Sequence, residues 1–380
     1  MFIPCLFLAG FLTFVSLRMA TMETEINLHF TYSAPVSDFD GIEYEAGYGQ
    51  WAVTLDGKTI AKSAEDLPIQ PTASTAKMIM ALAVMEKKPF NLGENGEAIT
   101  ITGDIYNIYA RYVAIGGSTT KVALGEEISE YEALESALIA SSNNMADALA
   151  IWAFDSLEEY SKYANEMVNR LGATNTYVGP DASGFDDTTT STAADLALIG
   201  EAVLKQPVLA EIVGKTSAEV PVAGLIENTN KLLGTDGIIG VKTGYIGATS
   251  GYCLVSGYRQ GEEIVTLAVM GAPYRQTSFD TTLDLVKKAQ EKITTSDLVS
   301  AGEEIGYYKT WWSKKATISA DNSVSGVVIS EAKANYDEGE KVLTIETAET
   351  KYSTGVSVEE FRKAPTFWQR FLHVFGWEAE

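Results

Sequence analysis

The sequence predicts an α+β fold: an antiparallel sheet flanked by helices, followed by a small C-terminal β domain. Three observations predict it. A hairpin signal at residues 50–60 and β-rich runs after Gly234 bracket a block of helical segments. A helix over about Ser278–Ile293 closes that part. Residues 296–360 hold only short strands and polar turns, in EIGYYKTWW, GVVIS and KVLTIET. At 380 residues with 46% hydrophobic content, the chain can bury a sizeable core and carry a second, smaller domain.

Taken in order, residues 1–17 carry no charge, which predicts a signal peptide or N-terminal membrane segment over 1–22 and therefore export, with a core helix as the alternative. QWAVTLDGKTI reads as two strands around Asp56-Gly57. LPIQPTA then leads into a helix with no polar side chain from Met78 to Met85, the pattern of a fully buried helix. Residues 91–128, rich in Gly, Asn and Thr, read as loop.

Ser129 and Glu132 form a capping box that starts a helix with Ala133, Leu134, Ala137 and Leu138 on one face. That helix ends at SSNN, and another begins with MADALAIWAF. A second box, Ser156 to Glu159, opens a helix that Gly172 stops. Ser191 or Thr192 caps AADLALIGEAVL, which Pro207 closes. GIIGVKTG, SGYCLVSGY and EEIVTLAVMGA are strands. The expected organisation is a catalytic domain over 30–293, a β domain over 296–360 and a terminal helix within 361–380.

In that last helix Phe367, Trp368, Phe371, Leu372 and Phe375 share a face, opposite Gln369, Arg370 and His373. It is too short to span a bilayer, but its face suits a membrane surface. Docking on the β domain is the alternative.

Composition removes several chemistries. The 51 acidic residues against 28 basic give a net charge of -23, which argues against nucleic acid as a partner. The two histidines, His29 and His373, lie outside the predicted core, which argues against a Ser-His-Asp triad or a histidine zinc site. Cys5 and Cys253 are too few for a metal cluster. No metal or cofactor is implied.

Against that background Lys77 stands out, one turn into an apolar helix. A buried lysine must be paired or neutral. Ser74 lies three positions earlier, on the same face and at the helix start, where free backbone N–H groups favour developing negative charge. A lysine made neutral by burial can take the serine proton, the task histidine performs elsewhere. The alternatives are an ordinary N-cap for Ser74 and a snorkelling surface lysine.

Three short motifs stand in order: Ser74-Thr75-Ala76-Lys77 (S-x-x-K), Ser141-Ser142-Asn143 (S-x-N) between two helices, and Lys242-Thr243-Gly244 (K-T-G) on a strand. Each alone is weak; together they are specific. Through PTASTAKMIMAL, LIASSNNMADALA and GVKTGYIGATSGYCLVSG the chain resembles the serine penicillin-binding proteins and β-lactamases. It resembles more closely the D-alanyl-D-alanine carboxypeptidases (peptidase S11-like) that trim peptidoglycan stem peptides, across about residues 40–290.

The resemblance implies a β-lactamase/DD-peptidase-like fold and specific roles. Ser141 relays protons to the leaving amine and Asn143 holds the substrate amide. The K-T-G strand takes the substrate as an added strand, Lys242 and Thr243 receive its terminal carboxylate, and Gly244 allows close approach. The backbone N–H groups of Ser74 and Tyr245 form the oxyanion hole. Ser142-Asn143-Asn144 also fits S-x-N, but the surrounding pattern aligns with Ser141 first. Arg275 is either a carboxylate contact or a structural ion pair. The implied partners are stem peptides, β-lactam antibiotics and the membrane surface of a bacterial envelope.

A β-lactamase ranks lower, because the family's S-D-N has Ser142 at its middle position here and GPDASGFDDTTTS offers no matching glutamate. An endopeptidase or transpeptidase on the same scaffold, and a non-catalytic wall-binding or penicillin-sensing protein, complete the alternatives.

Overall fold

The computed structural model describes residues 3–347 and 350–377; residues 1, 2, 348, 349 and 378–380, which fall in the predicted N-terminal segment, β domain and tail, lie outside the described residues. The chain divides into two units, Phe39–Thr294 and a second made of Met1–Asp38 with Thr295–Glu380.

The second unit supplies the first elements, helix α1 (Ile3–Ala20) and strand β1 (Asn27–Phe30). The large unit opens with the hairpin β2 (Gln50–Leu55) and β3 (Lys58–Lys62). Asp56 and Gly57 both take positive φ, 45° and 81°, as the two central residues of a type I′ turn require. After β4 (Gln70–Pro71) comes a 3₁₀ turn at Ala73–Thr75, then α2 (Ala76–Lys87), buried from Ala76 to Met85. Ser74 thus lies in the 3₁₀ turn that leads into α2.

Residues 91–128 depart from the loop expected there. They form β5 (Ala98–Thr100), α3 (Gly103–Ala114) and β6 (Glu127–Ser129), with β5 paired to β6. GDIYNIYARYVA is rich in aromatic and β-branched residues, which form helices weakly, and only Tyr112 of α3 is buried. The Thr102 hydroxyl caps the helix by accepting from Ile105 N.

At α4 (Glu130–Leu138) both arms of the expected capping box are made: Ser129 Oγ accepts from Glu132 N at 3.3 Å, and Glu132 Oε2 accepts from Ser129 N at 2.8 Å. Next come α5 (Asn143–Phe154), α6 (Leu157–Arg170), the short β7 (Thr190–Ser191) paired to β4, and α7 (Ala193–Lys205) capped by Thr192. Pro207 ends α7 by opening another helix, α8 (Pro207–Gly214). A small hairpin, β8 (Ser217–Val220) and β9 (Gly224–Glu227), precedes β10 (Gly240–Gly244), β11 (Tyr252–Gln260) and β12 (Glu263–Ala272). Helix α9 (Arg275–Lys292) starts about a turn earlier than expected.

The sheet order is β10-β11-β12-β2-β3, antiparallel throughout, so the hairpin near the start joins the strands at the end. Strand β10 is an edge. Helix α7 packs on β2 and β12, while α2 packs against α4, α5, α6 and α7, which is why it is apolar all round.

The remaining elements are β13 (Thr295–Val299), β14 (Glu304–Lys309), β15 (Ala316–Ala320), β16 (Val324–Val327), β17 (Lys333–Asp337), β18 (Val342–Glu346), β19 (Lys351–Val358) and α10 (Phe367–Val374). A six-stranded sheet ordered β1-β14-β15-β19-β18-β17 covers a core that includes Ile305, Ile318, Leu343 and Val356. Here the expected boundary at residue 30 moves. Asn27–Phe30 pair with Gly306–Lys309, so residues up to Asp38 belong with the β-rich unit. A four-residue edge strand far from its partner in sequence gives no periodicity to detect.

In α10 the polar side chains face the unit. Gln369 Nε2 donates to Trp312 O at 2.8 Å, Arg370 Nη1 to Met19 O at 3.0 Å, and His373 stacks on Trp311. Phe367 and Trp368 remain exposed, as does Trp377 beyond the helix. Among the described residues no helix is long and apolar enough to cross a membrane.

Candidate active site

Ser74 is presented by an unusual backbone. Ala73 before it takes φ 50°, a region that costs a residue with a Cβ, and Gly184 with φ 65° lies against the Ala73 carbonyl. The turn leaves Ser74 half-buried directly over Lys77. Lys77 is fully buried and its Nζ has three partners: Ser74 Oγ at 2.8 Å, Asn143 Oδ1 at 2.7 Å and the Ser183 carbonyl at 2.7 Å. Burial pushes its amine down to about 7, while the carboxylates of Asp181 and Asp147 pull the other way.

The second motif sits at the start of α5. Ser141 takes the left-handed conformation (φ 61°), which turns the chain from α4 into α5. Ser142 is the N-cap: its Oγ accepts from Thr120 N at 3.0 Å and Met145 N at 3.4 Å, and donates to Asn144 Oδ1 at 2.8 Å. Asn144 is tied in both directions to the Thr120 backbone. Of the two overlapping S-x-N readings, only the asparagine at 143 reaches the lysine.

The third motif lies on the edge strand β10. Gly244 packs so closely that a Cβ there would stand 3.0 Å from Thr72 O and 3.1 Å from Ser74 N. Glycine is what lets the strand approach the serine. Lys242 is buried, with Nζ donating to Thr243 O at 3.2 Å; burial first, then the charge of Lys77, holds its amine well below the ordinary lysine range. Thr243 Oγ1 meets Thr229 Oγ1 at 2.7 Å. Tyr245 is half-exposed and stacked on Tyr252 at 4.1 Å.

Ser74, Lys77 and Asn143 are therefore in direct contact, with the backbone of Gly244 against that of Ser74. Arg275 is exposed at the start of α9, and among the described residues no hydrogen bond joins its side chain to this cluster.

Sequence reasoning missed the layer behind Lys77, made by Arg111 and Tyr112 of α3, Asp147 of α5, and Asp181 and Ser183 of the loop between α6 and β7. One signal was available: Asp147 is the only charge in the apolar run MADALAIWAF.

The α+β fold with this serine–lysine cluster has the arrangement expected of a serine hydrolase. Residues 52–274 match the family model described as D-alanyl-D-alanine carboxypeptidase, Peptidase S11, and the chain belongs to that family. It is similar to the D-alanyl-D-alanine carboxypeptidase DacB2 of Mycobacterium tuberculosis, at 29% identity over 233 residues, 58% of this chain and 74% of that protein. Among solved structures, Escherichia coli penicillin-binding protein 6B superposes with a TM-score of 0.63 at 19% identity, over 86% of this chain and 99% of that one. A D-alanyl-D-alanine carboxypeptidase structure from Mycobacterium tuberculosis gives 0.53 at 25% identity, over 68% and 95%. The chain is thus a serine-type D-Ala-D-Ala carboxypeptidase by family.

Proposed function

We propose that Ser74 is the nucleophile and Lys77 its base in removing the terminal D-alanine from peptidoglycan stem peptides. The observation that carries this is the set of partners around Lys77 Nζ. Asn143 Oδ1 and Ser183 O can only accept, so they take the two N–H bonds of a neutral amine. The lone pair is then left for the Ser74 hydroxyl, 2.8 Å away.

Ser74 Oγ attacks the carbonyl carbon of the penultimate D-alanine as its proton passes to Lys77 Nζ. The negative charge on the carbonyl oxygen is held by the N–H groups of Ser74 and Tyr245. Collapse breaks the peptide bond, and the departing D-alanine amine takes a proton from Lys77 by way of Ser141. Water then attacks the ester, losing a proton to Lys77, and Ser74 recovers its own. The substrate lies along the free edge of β10 as an added strand, with Asn143 on its amide and Lys242 and Thr243 on its terminal carboxylate. Penicillins acylate the same serine because their strained amide resembles the D-Ala-D-Ala bond.

The same reading places the protein outside the cytoplasm, in a bacterial envelope. Residues 1–22 serve as the export or anchoring segment, and α10 lays its outward aromatic face on the membrane surface. The exposure of Phe367 and Trp368 supports this, while Gln369, Arg370 and His373 hold the helix to the unit and Phe375 lies beside Phe11 of α1.

Incubation with diacetyl-Lys-D-Ala-D-Ala, followed by assay of free D-alanine, tests the function. Release that disappears in Ser74→Ala is expected. Release undiminished in that variant would refute the assignment.

A further inference from the structure

Behind Lys77 runs a buried chain of oxygen atoms that the reaction scheme does not use. Ser183, whose carbonyl accepts from Lys77, donates through its N and Oγ to Asp181 Oδ1 at 2.9 and 2.6 Å. Its Oγ also packs 3.0 Å from the Tyr112 hydroxyl, a contact with no proton of its own while each hydroxyl donates to a carboxylate. Tyr112 donates to Asp147 Oδ2 at 2.8 Å, and Arg111 Nη2 donates to the same oxygen at 2.8 Å. The Asp147 side chain is 1% exposed and that of Arg111 55%, so the ion pair is buried at one end only.

A neutral side chain could tie Tyr112 in place at lower cost. Burying a carboxylate is unfavourable, and Asp147 Oδ1 is buried with no partner. Burial, and then the neighbouring Asp181, pushes this carboxyl up to about 6. Its charge faces Arg111 directly, and with Asp181, the stronger of the two, it also attracts Lys77 across the buried layer. The titratable and charged groups around Asp147 are Arg111 and Tyr112 from α3, Tyr160 from α6, Asp181 and Asp186 from the loop, Lys77 from α2, and beyond it Lys242 from β10.

We propose that Asp147 is a positioning residue for the base: it anchors Tyr112 against Ser183, whose carbonyl meets Lys77, and its negative charge stabilises the ammonium that Lys77 becomes on taking the serine proton. The inference rests on Lys77 being the base. It is independent of the three motifs, since Asp147 belongs to none of them.

The test is the pH dependence of penicillin acylation of the full-length chain, from about pH 5 to about pH 9. In Asp147→Asn the acid limb moves to lower pH by about half a unit to one unit, so the rate at about pH 6.5, where the wild-type carboxylate is still mostly ionised, rises about two- to threefold relative to its plateau. The plateau falls, because a less basic lysine is a weaker proton acceptor. Asp147→Glu, which keeps the charge, returns the limb towards the wild-type position. A merely structural role would lower the plateau or the melting temperature without moving the limb, and an unmoved limb in the folded asparagine variant overturns the proposal. Asp147→Ser, neutral and smaller, gives the same reading should the asparagine variant fail to fold. Lys77→Ala separates the two claims: normal acylation in that variant would remove the base assignment itself, whatever Asp147 does.

Discussion

Lys77 Nζ stands 2.8 Å from Ser74 Oγ, inside a protein whose two histidines, His29 and His373, both lie in the other structural unit. The amine's burial brings it to about 7, within the range where a general base is effective. Below that pH Lys77 is an ammonium with no lone pair; above it the amine is free. Acylation by penicillin should therefore rise with pH along a one-proton limb centred near 7. Lys77→Arg, which stays charged, should lower the rate by roughly a hundredfold or more across the whole range. A pH-independent rate in the wild type would contradict the role.

Lys242 is expected to serve the substrate's carboxylate. Lys242→Ala should reduce kcat/KM for a peptide ending in a free D-alanine by roughly a hundredfold, and for its C-terminal amide by much less. Paired kinetics on the two peptides check this. Equal losses would mean that Lys242 acts on the chemistry or on the fold instead.

Gly244 tests the approach of strand to serine. Gly244→Ala adds a Cβ 3.0 Å from Thr72 O and 3.1 Å from Ser74 N, so β10 and the 3₁₀ turn must move apart by a few tenths of an ångström. The expected result is a fall in acylation of roughly tenfold to a hundredfold. Circular dichroism should stay native. Unchanged acylation would show that this close approach is not needed.

The exposed aromatic residues of the tail are the proposed membrane contact. Replacing Phe367, Trp368 and Trp377 with serine should lower co-sedimentation of the full chain with neutral phosphatidylcholine vesicles several-fold, with little salt dependence, because the contact is apolar. Binding that survives the three replacements would place the anchor elsewhere.

Much of this was legible because it is local. The hairpin at Asp56-Gly57, the capping box at Ser129 and the apolar run of α2 each declare themselves within a dozen residues. Each of the three motifs could be read because it lies within a few consecutive residues, as with Ser74 and Lys77, three positions apart. What escaped depends on partners distant in sequence. Helix α3 is built from poor helix formers and depends on packing against α5. Strand β1 exists only because Gly306–Lys309 pair with it. The buried layer at Asp147 joins residues 111, 147 and 183, which no short-range spacing connects.

The central claim is that the hydroxyl of Ser74 forms the acyl-enzyme, and intact-mass analysis after incubation with benzylpenicillin tests it most directly. The wild-type chain should gain the mass of one penicilloyl group, mapped by peptide digestion to Ser74, and Ser74→Ala should gain none. Stoichiometric labelling that persists in Ser74→Ala, or that maps to another residue in the wild type, would contradict the account.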